Sequence, residues 1–90
     1  MLDYEIAASF DKDLKVMQKR RKKMPLLRDI MRMIIQEKPL LAKHKNHPLH
    51  GKHKGKWECH VEPDWVLVYR IDKPERRVIF YRTGSHSDLF

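Results

Sequence analysis

Residues Trp57 to Ile71 read WECHVEPDWVLVYRI, and the fold is decided in this stretch. Trp57, Cys59 and Val61 alternate with Glu58, His60 and Glu62, as in a strand with one apolar face and His60 on the other. Pro63 and Asp64 supply a turn. Trp65 to Ile71 is then almost continuously apolar and rich in β-branched and aromatic residues, the pattern of a central strand covered on both faces. Asp72 to Glu75 (DKPE) makes a second turn, and Val78 to Thr83 a last strand. Upstream, residues 2–7 (LDYEIA) alternate as a short first strand. Ser9 stands at a helix N-cap position before Asp11 and Asp13, and Phe10, Leu14 and Met17 recur at helical spacing, which predicts a helix to about Arg21. Met24 and Pro25 open a second helix with an apolar stripe of Leu27, Ile30, Met31, Ile34 and Ile35, ending before Pro39. The order β-α-α-β-β-β predicts an α+β domain in which two N-terminal helices pack on one face of a small, mostly antiparallel sheet. Only the short C-terminal tail reads as a linker-like segment.

Ninety residues suffice for one small domain, so residues 1–90 are expected to form a single unit with one site. Lys and Arg number 20 against 12 Asp and Glu, a net charge of +8 that favours a polyanionic partner. Nucleic acid comes first, because cationic side chains release counterions from phosphates. No apolar run approaches the roughly 20 residues of a membrane span, and the N-terminus lacks the basic start and apolar stretch of a signal peptide. A cytoplasmic protein without a membrane partner is expected. The single cysteine, Cys59, cannot form an internal disulfide, in keeping with a reducing compartment.

Three features bear on chemistry. Lys19, Arg20, Arg21, Lys22 and Lys23 crowd the end of the first helix, where they form either a solvated face or, with the lysines of residues 43–56, a surface that tracks a phosphate backbone. Residues 43–56 themselves hold five lysines, four histidines, Pro48, Gly51 and Gly55 with no acidic residue, and read as a basic loop. Its histidines His44, His47, His50 and His53 are spaced by three, but Pro48 and Gly51 oppose a helix that would stack them, and the spacing matches no zinc finger or ribbon. No metal and no cofactor are expected. The third feature is the series His47, His60, Asp64, Arg82, His86 and Phe90. Metal-free RNA cleavage needs a base for the 2′-OH, an acid for the 5′-oxygen and a cation for the phosphate; histidine suits the proton roles and arginine the last. Composition alone leaves these groups readable as scattered surface residues.

Between Asn46 and Phe90 the chain carries HPLHG (47–51), WECHVEPDWVLVYRI (57–71) and YRTGSHSDLF (81–90), and these elements resemble the YafQ-type toxins of the RelE superfamily. FDKDLK (10–15), followed by a basic helix end and a second apolar helix, extends the resemblance over the whole chain. The resemblance implies a RelE-like fold and a ribosome-dependent endoribonuclease that cleaves messenger RNA in the ribosomal A site, leaving a 2′,3′-cyclic phosphate and a 5′-hydroxyl. It implies His86 as general acid, His60 or His47 as general base and Asp64 as the group that orients or shares the proton. Arg82 would be the phosphate clamp and Phe90 a substrate contact, while Trp65 would either stack on a base or, from its strand position, pack in the core. Lys52, Lys54 and Lys56 are the substrate contacts that the basic loop itself offers. His50 would be accessory. The implied partners are the 70S ribosome with its message and an acidic antitoxin of DinJ or RelB type, with operator DNA reached only through that antitoxin. Two other classes fit the composition: a plain basic RNA- or DNA-binding module, which needs no histidines, and a co-repressor that binds DNA through its antitoxin. A zinc protein using loop histidines with Cys59 or His60 is the weakest.

Overall fold

The central hydrophobic run is the middle of a five-stranded sheet. In the computed structural model, which describes residues 1–90, the elements are β1 (Asp3–Ile6), α1 (Ala8–Lys19), α2 (Met24–Ile35), β2 (His47–Pro48), β3 (Trp57–Glu62), β4 (Trp65–Asp72), β5 (Arg77–Gly84) and α3 (His86–Leu89). Short 3₁₀ turns lie at Ala42–His44 and Gly51–His53. The sheet order is β1-β5-β4-β3-β2, with β1 parallel to β5 and every other pair antiparallel. No helix is long and apolar enough to cross a membrane.

One face of the sheet is covered by the two helices. Phe10 and Met17 of α1 and Leu27, Ile30 and Ile34 of α2 pack with Cys59, Val61, Trp65, Leu67, Tyr69, Val78 and Phe80. Each such large apolar side chain contributes roughly 1.5–3 kcal/mol on burial. Trp65 to Tyr69 are all buried, as the uninterrupted apolar run predicts. The opposite face carries two rows set by strand register: His47, Glu58, Val68 and Arg82 across β2 to β5, and His60, Val66 and Gly84 across β3 to β5. Antiparallel partners project on the same side, so the pairing itself gathers the polar groups of β2, β3 and β5 over Val66 and Val68 of β4.

Local chemistry departs from the sequence reading in several places. Ser9 is not the cap of α1: the helix starts at Ala8 behind Ala7, and the Ser9 hydroxyl donates to the Tyr81 carbonyl at 2.7 Å, tying α1 to β5. Both main helices stop in a left-handed residue that is not glycine, Arg21 (φ 58°) and Glu37 (φ 57°). The following N–H groups of Lys22 and Lys38 reach back to Met17 and Met33 as a Schellman closure requires. The linker-like tail is an ordered helical turn, capped by Ser85 and Asp88 in a reciprocal capping box. Within the basic loop, the brief β2 pairs through its backbone with Trp57 and Glu58, which needs no apolar side chain and leaves no pattern to read. Gly51 (φ 65°) supplies one of the left-handed positions the loop needs to double back.

Candidate active site

Glu58 sits at the centre of the second face. Its side chain is only 4% exposed, and its Oε1 lies 3.2 Å from His86 Nε2, 3.3 Å from His47 Nε2 and 3.6 Å from His60 Nε2. Three imidazoles from β2, β3 and the C-terminal turn thus converge on one carboxylate oxygen. A carboxylate this buried requires such partners, since the cost of desolvating it alone is several kcal/mol. His60 Nδ1 faces the Pro63 carbonyl at 3.1 Å and His47 Nδ1 the Pro48 carbonyl at 3.2 Å. Each of these rings therefore has oxygen acceptors at both nitrogens, an arrangement that suits a ring able to carry a proton on either side. His44 is a support: its Nδ1 meets the His60 carbonyl at 2.7 Å, holding the 42–44 turn against β3.

The rim is aromatic and basic. The rings of His60 and His86 lie 5.5 Å apart, those of His86 and Phe90 5.9 Å, and Phe90 meets the edge of His53 at 5.2 Å. Phe90 remains 53% exposed. Lys52 and Lys54 are exposed on the basic loop, while Lys56 lies with its ammonium 4.4 Å from the Tyr81 ring centroid.

Of the residues expected at a site, His47, His60, His86 and Phe90 come together. Asp64 does not join them: it is exposed in the β3–β4 turn, and its carboxylate makes no hydrogen bond or ion pair with any histidine. The carboxylate that the three rings contact is that of Glu58. Trp65 is no substrate platform, because it is fully buried beneath the sheet and its Nε1–H donates to Thr83 Oγ1 at 2.9 Å. Arg82 shares the Glu58 row, but its Nε and Nη2 donate to Asp13 at 2.7 and 3.2 Å, so part of its fork is already engaged. The basic run is also partly matched. Arg20 pairs with Asp88, and Lys22 lies 3.6 Å from Glu62 and over the Trp65 ring. Glu58 is the candidate site residue that the sequence reading does not single out. Its signal in sequence is the spacing to His60, two residues apart on one strand face, a weak one because a polar strand face ordinarily reads as solvated.

His47, Glu58 and His60 place one ligand atom each within 4.8 Å of one another and so could hold a small cation. Cys59 takes no part in that set or in nucleophilic chemistry. It faces the core, and burial, reinforced by the neighbouring Glu58, pushes its thiol up to about 12.

With this geometry in view, the comparisons with known proteins are specific. Residues 2–90 match the family described as bacterial toxin of type II toxin-antitoxin system, YafQ. The chain belongs to the YafQ toxin family. It is 43% identical over 89 residues to the mRNA interferase toxin YafQ of Escherichia coli strain K12, covering 98% of this chain and 95% of that protein. It also matches a metal-bound toxin from Helicobacter pylori, with a TM-score of 0.94, 44% identity and full coverage of both chains. A third match lies in the Escherichia coli DinJ-YafQ toxin-antitoxin complex, with a TM-score of 0.90, 42% identity and coverage of 99% of this chain and 97% of that one. The α+β arrangement of this chain is therefore that of the solved YafQ structures.

Proposed function

We propose that residues 1–90 act as a single toxin domain, an mRNA interferase that cleaves messenger RNA in the ribosomal A site by acid–base chemistry and so arrests translation. The observation that carries this reading is the convergence of three imidazole nitrogens within 3.6 Å of one buried Glu58 oxygen. With a scissile phosphate over that cluster, His60 or His47 accepts the 2′-OH proton and the 2′-oxygen attacks phosphorus. The bond to the 5′-oxygen breaks, and His86 delivers the proton that oxygen needs. A 2′,3′-cyclic phosphate and a 5′-hydroxyl result. Glu58 fixes the rings and takes up hydrogen bonds as protons move between them. Arg82 meets the phosphate through Nη1, the guanidinium nitrogen outside its Asp13 pair. Phe90 stacks on a base at the rim, while Lys52, Lys54 and Lys56 follow the backbone.

The partners follow from the same surface. A chain of net charge +8 acting on ribosome-bound RNA in the cytoplasm is a target for an acidic antitoxin, in the place that DinJ takes in the Escherichia coli DinJ-YafQ complex, with operator DNA reached through that antitoxin. A second reading has one observation behind it: the cation set His47, Glu58 and His60, given that the Helicobacter pylori relative was crystallised metal-bound. A cation there would occupy the lone pairs that the proton chemistry uses. Both are tested by adding the purified chain to one message, free or on programmed ribosomes, with and without EDTA. In-frame cuts ending in a cyclic phosphate, made only on ribosomes and undiminished by EDTA, are expected. Cleavage that EDTA abolishes and zinc restores would assign the cation to the reaction, and no cleavage in any arm would overturn the reading.

A further inference from the structure

His86 reaches Glu58 from a helix of only four residues at the end of the chain, too short to hold its own shape. What fixes it is Asp88, two residues on. Asp88 Oδ2 accepts from the Ser85 backbone N–H at 2.8 Å and from Arg20 Nη1 at 2.6 Å, and Oδ1 accepts from Arg20 Nη2 at 3.0 Å. The Asp88 N–H in turn donates to Ser85 Oγ at 3.1 Å. Gly84 permits the closure, because a Cβ there would stand 2.9 Å from Asp88 Oδ2. The paired fork from Arg20, with the Ser85 N–H behind it, holds the Asp88 carboxyl well below the usual carboxylate range. The end of α1 therefore grips the same turn that carries His86 to Glu58 and Phe90 to His53.

We propose that Arg20 and Asp88 are positioning residues for cleavage, a clamp from α1 that sets His86 on Glu58; this rests on His86 being the general acid of the proposed reaction. The clamp touches neither phosphate nor base. It acts on the maximal rate through His86, because an ångström of misplacement at a reacting group costs up to about a hundredfold.

The test is single-turnover cleavage of message on programmed ribosomes by wild type, Asp88→Ala, Arg20→Gln, Arg20→Lys, His86→Gln and the double variant His86→Gln/Asp88→Ala. Circular dichroism confirms that each is folded. Asp88→Ala and Arg20→Gln are expected to lower the maximal rate roughly ten- to a hundredfold, with Arg20→Lys recovering part of the loss. Asp88→Ala should leave the half-saturating concentration within about twofold and cost nothing further in the His86→Gln background. A wild-type rate for Asp88→Ala, or its full penalty persisting without His86, would overturn the clamp alone. A wild-type rate for His86→Gln would overturn the clamp together with the catalytic assignment it rests on. Amide exchange over residues 86–90 reads the grip independently: it should quicken in Asp88→Ala, and unchanged protection would count against the clamp.

Discussion

Glu58 carries a charge at a position 3% exposed, and the three imidazoles around it are the means by which that charge is tolerated. Replacing it with the isosteric glutamine keeps the shape but removes the anion that the rings share. Glu58→Gln is expected to lower single-turnover cleavage by about a hundredfold while leaving the fold intact, a loss comparable to removing one preorganised electrostatic partner in other active sites. Cys59, the next residue in the strand, faces the opposite way and provides a separate reading of the same alternation. Its thiol pKa is about 12 in the fold against an ordinary 9.0, so the folded state keeps a proton that the unfolded chain gives up. Stability from this group is present below about pH 9 and is lost as pH rises from there toward 12. Denaturant titrations across that range should show the decline, and a Cys59→Ser variant should lose the part of it above pH 9. Alternation across Glu58, Cys59 and His60 was legible in sequence, and it placed His60 correctly. What alternation cannot show is which strand lies alongside, so the meeting of His47 with Glu58, set by register with β2, had no local sign. Trp65 reads two ways in sequence, as core packing from its strand position or as a stacking platform beside Asp64, and its complete burial agrees with the first.

At the scale of elements, amphipathic periodicity located both long helices and β3, while β4 is legible as an uninterrupted apolar run, because a strand buried on both faces has no polar side to alternate with. The helix ends were harder to place. Arg21 and Glu37 occupy left-handed positions where glycine is the usual signal, so neither boundary announced itself. Arg21→Gly removes a Cβ from such a position and is expected to raise unfolding stability by about 1 kcal/mol, read as a higher denaturant midpoint with unchanged slope. The tail reads as a linker in sequence, although Ser85 and Asp88 spell a capping box. A box with no apolar run behind it is a weak signal, and its second partner, Arg20, lies 68 residues away in sequence. The basic loop was identified by composition, while its two 3₁₀ turns and the short β2 follow from backbone pairing that side chains do not encode.

For the whole molecule, the sheet divides the labour. Helices and core occupy one face, and a cluster of histidines around a carboxylate occupies the other under a net charge of +8. That charge was the plainest statement in the sequence and pointed to a nucleic-acid partner. The histidines turned a binding surface into a site, and four of the expected residues, His47, His60, His86 and Phe90, do meet there. The central claim is that this meeting cuts messages during translation. Its most direct measurement is mapping 5′ ends of translated messages in bacteria induced to express the wild-type chain or His86→Ala. Growth arrest with new in-frame 5′ ends for the wild type, both absent from His86→Ala, is the predicted result. Unchanged growth and unchanged ends with folded wild-type protein, or the same ends from His86→Ala, would contradict it.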